Sequence, residues 1–201
     1  MTTTITLGDI SHPFTWEGEP RTAQIDETHA LRITAGAKTD FFIDPAGQSE
    51  QGNAPRLMCS PDPQFTLSAR VGVEFAATYD AGVLFLYVHP TCWAKLCFEF
   101  SPQQQPMIVS VVTNGRSDDC NSAVIQSLEV YLRVTRLGGA FAFHYSTDQA
   151  YWQLVRYFAL DSTRDLRVGF LAQSPTGEAC TATFSRIVYT PQAVQDIRSG
   201  M

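Results

Sequence analysis

The chain has 201 residues, 44% apolar and 17% charged, a balance that suits one globular domain and excludes a disordered chain. Its 14 Lys and Arg stand singly against 20 Asp and Glu, for a net charge of -6. That excludes a sequence-independent grip on nucleic acid or anionic lipid, which needs clustered cations.

The first twenty residues carry no basic segment ahead of an apolar one, so no secretory leader is expected. No apolar run reaches the length of a membrane span. Short alternating runs follow at TAQID (22–26), LRITA (31–35) and DFFID (40–44). The clearest strand is 64–75, where Phe65, Leu67, Ala69, Val71, Val73 and Phe75 share one face. The run AGVLFLYVH (81–89) is apolar on both faces, as a strand at the middle of a sheet must be. In CWAKLCFEF (92–100) one face is Cys92, Ala94, Leu96, Phe98 and Phe100, and the other is Trp93, Lys95, Cys97 and Glu99. MIVSVVT (107–113) continues the pattern, and the polar stretch 114–121 reads as a loop. EVYLRVTR (129–136) and AFAFHYS (140–146) flank Gly138-Gly139, a hairpin signal. LVRYFAL (154–160), LRVGFLAQ (166–173) and TATFSRIVY (181–189) complete the strands, and the tail after Pro191 reads as a short helix.

About a dozen strands with at most one short helix predict an all-β fold over 1–201, a two-sheet antiparallel sandwich of jelly-roll type. Several strands apolar on both faces favour a sandwich over a small filled barrel. The five cysteines show no paired spacing, and Cys92 and Cys97 fall on opposite strand faces. Free thiols in a reducing cytoplasm are the expectation.

Thr39-Asp40-Phe41-Phe42, Tyr79-Asp80-Ala81-Gly82, Trp93 through Glu99 and Ser117-Asp118 carry a family resemblance. So do Ala142 through Ser146, Trp152, Val168-Gly169 and Ala172-Gln173-Ser174-Pro175. Over roughly residues 10–190 the chain resembles a domain-of-unknown-function family allied to the fungal regulation-of-enolase protein, in the concanavalin A-like lectin/glucanase superfamily. The resemblance implies a jelly roll with one concave and one convex sheet, and no particular reaction.

The row Trp93, Lys95, Cys97, Glu99 is the candidate ligand-facing surface. Trp93 offers a ring for stacking, while Lys95 and Glu99 offer a donor and an acceptor. A solvated strand face with Trp93 as cover is the plainer account. Asp40 and Arg133 are expected to reach the same sheet and pair with its charges. Arg116 and Asp118 are read as one rim of the cleft, with Arg116 able to hold an anionic substituent. Trp152 and Arg156 complete a wall or simply pack on a sheet. His144 joins the candidates, although a satisfied structural histidine is the favoured account of it. Lys95 can lower the Cys97 thiol pKa, or Cys97 can be a packing residue.

No zinc spacing, phosphate loop or dinucleotide fingerprint occurs, so no metal or cofactor is expected. A glycosidase of this fold needs paired carboxylates on one face, but Lys95 and Cys97 occupy the positions before Glu99. No catalytic residue is assigned. The leading expectation is a non-catalytic binding module for a carbohydrate-like or phosphorylated metabolite. A regulator that binds a metabolic enzyme is the alternative, and a sugar-active enzyme the third.

Overall fold

The computed structural model describes residues 4–201, so Met1–Thr3 of the expected domain lie outside the described residues. The early strands are β1 (Thr15–Glu17), β2 (Thr22–Ile25), β3 (Leu31–Gly36), β4 (Phe41–Ile43), β5 (Glu50–Gly52) and β6 (Arg56–Cys59). The middle ones are β7 (Phe65–Glu74), β8 (Ala81–His89), β9 (Cys92–Phe100), β10 (Pro106–Asn114) and β11 (Arg116–Val124). Last come β12 (Glu129–Leu137), β13 (Ala140–Ser146), β14 (Gln153–Ala159), β15 (Arg167–Gln173) and β16 (Ala179–Thr190).

They form two seven-stranded sheets packed as a jelly-roll sandwich. The first runs β1-β6-β15-β8-β9-β10-β11 and the second β14-β13-β12-β7-β16-β3-β2, with β4-β5 a separate hairpin. Every pairing is antiparallel, which permits tight turns between neighbouring strands.

The main core lies between the sheets. The 65–73 row of β7 meets Leu84 and Leu86 of β8, Leu96 and Phe98 of β9, and Phe170 of β15, all sealed from water. Close packing explains Gly82, where an added Cβ would come within 2.7 Å of Val71 Cγ1. At Gly169 it would lie 1.9 Å from the Leu57 carbonyl oxygen, so only glycine lets β6 pair so closely with β15.

A second apolar cluster covers the outer face of the first sheet. The β4-β5 hairpin lays Phe41 and Ile43 over Val83, Phe85, Trp93, Val109 and Leu171. This cover is why β8 is apolar on both faces and why β9 is buried on both. Its turn is stiff, with the Asp44 carboxylate accepting the amides of Ala46 and Gln48 at 3.0 and 3.1 Å. Ile43 donates its amide to Ser117 Oγ at 2.9 Å, tying the hairpin to β11.

Two expectations are corrected. Residues 116–124 form edge strand β11, not a loop. Its side chains are mostly polar because both it and its outer edge meet water, so no hydrophobic alternation marked it. The tail after Thr190 contains turns and no helix. It is held by tertiary bonds instead, including Val194 N to Thr135 Oγ1 at 3.3 Å. No disulfide forms among the described residues, and of the five thiols only Cys120 is exposed. No helix is long and apolar enough to cross a membrane among the described residues.

Candidate functional site

Half of the first sheet's outer face is dry beneath the hairpin, and the other half opens as a cleft of about 370 Å³. Asp40, Phe42, Tyr79, Lys95, Glu99 and Gln173 are among the groups that line it. Asp119 and Asn121 of β11 close one side, and Ser101 and Pro102 close the end.

Lys95 is the centre of the polar half. Strand alternation turns it outward from β9, where only 3% of its surface is exposed. Its Nζ donates to Asp40 Oδ1 at 2.9 Å and to Gln173 Oε1 at 3.0 Å. Burial works against its charge, but Asp40, Cys97 and Glu99 outweigh burial, and its pKa is raised.

Gln173 is itself fixed, because its Nε2 donates to the Tyr79 carbonyl at 3.2 Å. Tyr79 adopts φ +69°, a left-handed conformation costly for a side chain of its size. Buried Asp80 holds that turn, accepting the amides of Ala76 and Ala77 and the Ser174 hydroxyl. The outcome is a tyrosine 41% exposed at the cleft mouth.

Glu99 shares the face of Lys95 two repeats along β9 and is only 8% exposed. Its carboxyl has neither a hydrogen bond nor an ion pair among the described residues. Burial pushes its pKa up to about 8, Lys95 opposing the rise and Asp119 and Asp40 adding to it. Cys97 between them is sealed in the dry cluster, and burial raises its thiol pKa well beyond any lowering by Lys95. It is a packing residue.

The sequence-derived candidates therefore divide. Asp40, Lys95 and Glu99 meet in the cleft. Trp93 does not: it is fully buried against Phe41 and Phe85, and its Nε1 donates to the Pro90 carbonyl at 3.0 Å. A ring so covered offers no face to a ligand. Arg116 points to the hairpin turn, donating to the Asp44 carbonyl at 3.3 Å. Asp118 projects from β11 toward the second sheet, where Arg156 binds it at 2.7 Å, and its neighbour Asp119 takes the cleft side.

Arg133, His144 and Trp152 belong to the second sheet and its edge, away from the cleft. The tail covers them: Arg133 donates to the Gly200 carbonyl at 2.8 Å, and His144 Nε2 bonds the Ile197 carbonyl at 2.8 Å. Trp152 lies under the Arg133 guanidinium, 4.0 Å from the ring centroid. These three fasten the tail.

Tyr79, Gln173, Asp119 and Phe42 are cleft residues that sequence reasoning left without a role. Gln173 carried a signal, a polar residue ending the apolar run of β15. Asp119 carried none once its strand was read as a loop.

A family model described as a protein of unknown function, DUF1349, matches residues 16–192. The chain belongs to the DUF1349 family. Among solved structures, a functionally unknown protein of Saccharomyces cerevisiae is similar at 26% identity and a TM-score of 0.81. That match covers 91% of this chain and 97% of the yeast protein. A xylan β-1,4-xylosidase from Bacillus halodurans is similar in fold, at 14% identity and a TM-score of 0.67. This DUF1349 chain covers only 34% of the xylosidase's length, with 84% of itself aligned. An alginate lyase from Klebsiella pneumoniae shares the fold at 12% identity and a TM-score of 0.56, over 87% of this chain and 85% of the lyase. No curated protein sequence matches this chain.

Proposed function

We propose that this DUF1349 protein is a binding module that takes a small carbohydrate-like ligand in the cleft and does not turn it over. The observation that carries this reading is the mixed lining: Gln173, Asn121, Glu99 and Asp119 for hydroxyl groups, beside the exposed ring of Tyr79. A rigid ring beside a few fixed polar groups is a common way to bind a polyol. Preorganisation supports it as well, since Asp80 and Gln173 hold Tyr79 before any ligand arrives. The solved structures of similar fold include a xylosidase and an alginate lyase, which is fold analogy alone.

A phosphorylated ligand has less support. The one cation in the cleft among the described residues, Lys95, is engaged by Asp40 and Gln173, and Arg116 is turned to the hairpin. Turnover has less support as well. Asp40 is bound to Lys95, and Asp119 stands two strands from Glu99 and opposite Val111, which pairs with Lys95. A retaining glycosidase needs its carboxyls about 5–5.5 Å apart.

The alternative, a protein regulator, calls for a contiguous apolar patch. Here the large exposed apolar side chains are scattered along the chain: Ile25 on β2, Val188 on β16, and Leu128 and Tyr151 in the connections before β12 and β14.

The test is a thermal-shift screen with mono- and disaccharides, amino sugars and sugar phosphates. A non-phosphorylated sugar should raise the melting temperature, and Tyr79→Ala should remove the rise. If only sugar phosphates act, or no sugar does, the reading fails.

A further inference from the structure

We infer that the ligand presents a protonated amine to Glu99, making this a site for an amino sugar; the inference rests on the saccharide reading above. Charge is the first observation. Asp40, Glu99 and Asp119 give the cleft three carboxyls against one ammonium, that of Lys95. Lys95 is already committed, at 2.9 Å to Asp40 and 3.0 Å to Gln173. The cleft thus holds acceptors for a cation that the protein itself does not supply.

The second observation is independent of charge. Glu99 is a polar side chain 8% exposed that faces the cleft and has no partner among the described residues. Its carboxyl opens onto the cleft, where a group arriving with the ligand can meet it. A neutral hydroxyl would donate one hydrogen bond. An ammonium would donate a charge-assisted bond to the Glu99 carboxylate, taking the place of the proton that leaves it.

A metal cation fits less well. No group of three His, Cys, Asp or Glu side chains comes together to hold one among the described residues. The Lys95 ammonium also sits in the middle of the site. The groups facing Glu99 are Lys95 and Cys97 from its own strand, Asp40 beside the hairpin and Asp119 from β11. Of these, only Lys95 is cationic.

The chemistry has a signature beyond affinity. The Glu99 carboxyl, held near 8, is mostly protonated in the free protein at pH 7. Pairing with an ammonium requires the carboxylate, so binding should release a proton to the buffer. Binding of an uncharged sugar should release none.

Calorimetry with glucosamine, glucose, N-acetylglucosamine and methylammonium at pH 7, in two buffers of different ionisation enthalpy, tests this. Glucosamine should bind about tenfold or more tightly than glucose or N-acetylglucosamine, with a buffer-dependent heat. Glu99→Gln should remove that preference and the proton release, and Asp119→Asn should weaken the preference in part. If glucose binds as well as glucosamine, the amine inference is overturned and the saccharide reading stands. If methylammonium binds and no sugar does, the saccharide reading falls and the amine inference with it. Silence from all four overturns both.

Discussion

Lys95 shows how one residue can be both a structural cost and a site organiser. An ammonium 97% removed from water is tolerable only because Asp40 and Gln173 meet two of its protons, Asp40 with a full opposite charge. Its stabilisation depends most on Asp40, whose side chain is 19% exposed and can reach water without it. Breaking the pair from the two ends should therefore differ. Asp40→Asn strands a buried cation and should cost about 2–4 kcal/mol in chemical denaturation. Lys95→Met leaves a carboxylate near solvent and an apolar stem in an apolar setting, and should cost less. Equal costs would show that hairpin geometry around Asp40, and not the ion pair, sets the stability there.

The β4-β5 hairpin decides which part of the outer face is dry. Phe41 packs against Phe85, Tyr87 and Trp93 with ring centroids 4.8, 6.3 and 5.6 Å away, and Arg56 lies over the Phe41 ring at 4.9 Å. Phe41→Ala should cost about 3–5 kcal/mol, the usual range for emptying a buried aromatic position. It should also shift Trp93 emission to the red by admitting water, read as increased acrylamide quenching against a Trp93→Phe control. An unchanged emission would mean that the remaining rings close over the gap. The hairpin also marks the limit of what was legible. Alternation in residues 92–100 placed Trp93, Lys95 and Glu99 on one outward face correctly, because the period-2 signal is local. That Asp40 pairs with Lys95 was expected from the need of a shielded charge for a partner, but that Phe41 covers Trp93 depends on a contact across more than fifty positions of sequence, which no local pattern carries. The edge strand β11 was hidden for a different reason: Arg116, Asp118 and Asn121 are exposed, so the strand has hardly any apolar face to alternate.

At the scale of the whole molecule, the sandwich was legible because two sheets need many half-buried strands, and β7, β8, β9 and β15 display their buried faces in sequence. The location of buried titratable groups was not, and two of them act in opposite directions on stability. Glu99 has a folded pKa of about 8 against an ordinary 4.5, so its contribution is greatest below pH 4.5 and is lost as pH rises through 8. His144 is driven the other way: burial lowers it to about 4 from 6.5, with the Ile197 carbonyl opposing and Arg133 reinforcing. Its contribution is present above pH 6.5 and is lost as pH falls through 4. Between pH 4.5 and 6.5 the folded protein carries an extra proton on Glu99 and lacks one on His144, so the two slopes cancel. Stability should therefore be flat across that window, falling on the alkaline side by up to about 1.4 kcal/mol per pH unit toward pH 8. Below it, His144 starts the acid fall, joined by Asp62, whose carboxyl the Tyr189 hydroxyl and His12 hold below 3.8. Denaturant titrations from pH 4 to 9 check each limb separately. Glu99→Gln should abolish the alkaline fall and, with nothing left to cancel His144, start the acid fall at about pH 6.5, whereas His144→Gln should extend the Glu99 slope down to about pH 4.5 in place of the flat window. If the alkaline limb survives Glu99→Gln, the ionisation behind it belongs elsewhere, and Glu99 is not the buried acid on which the cleft chemistry depends.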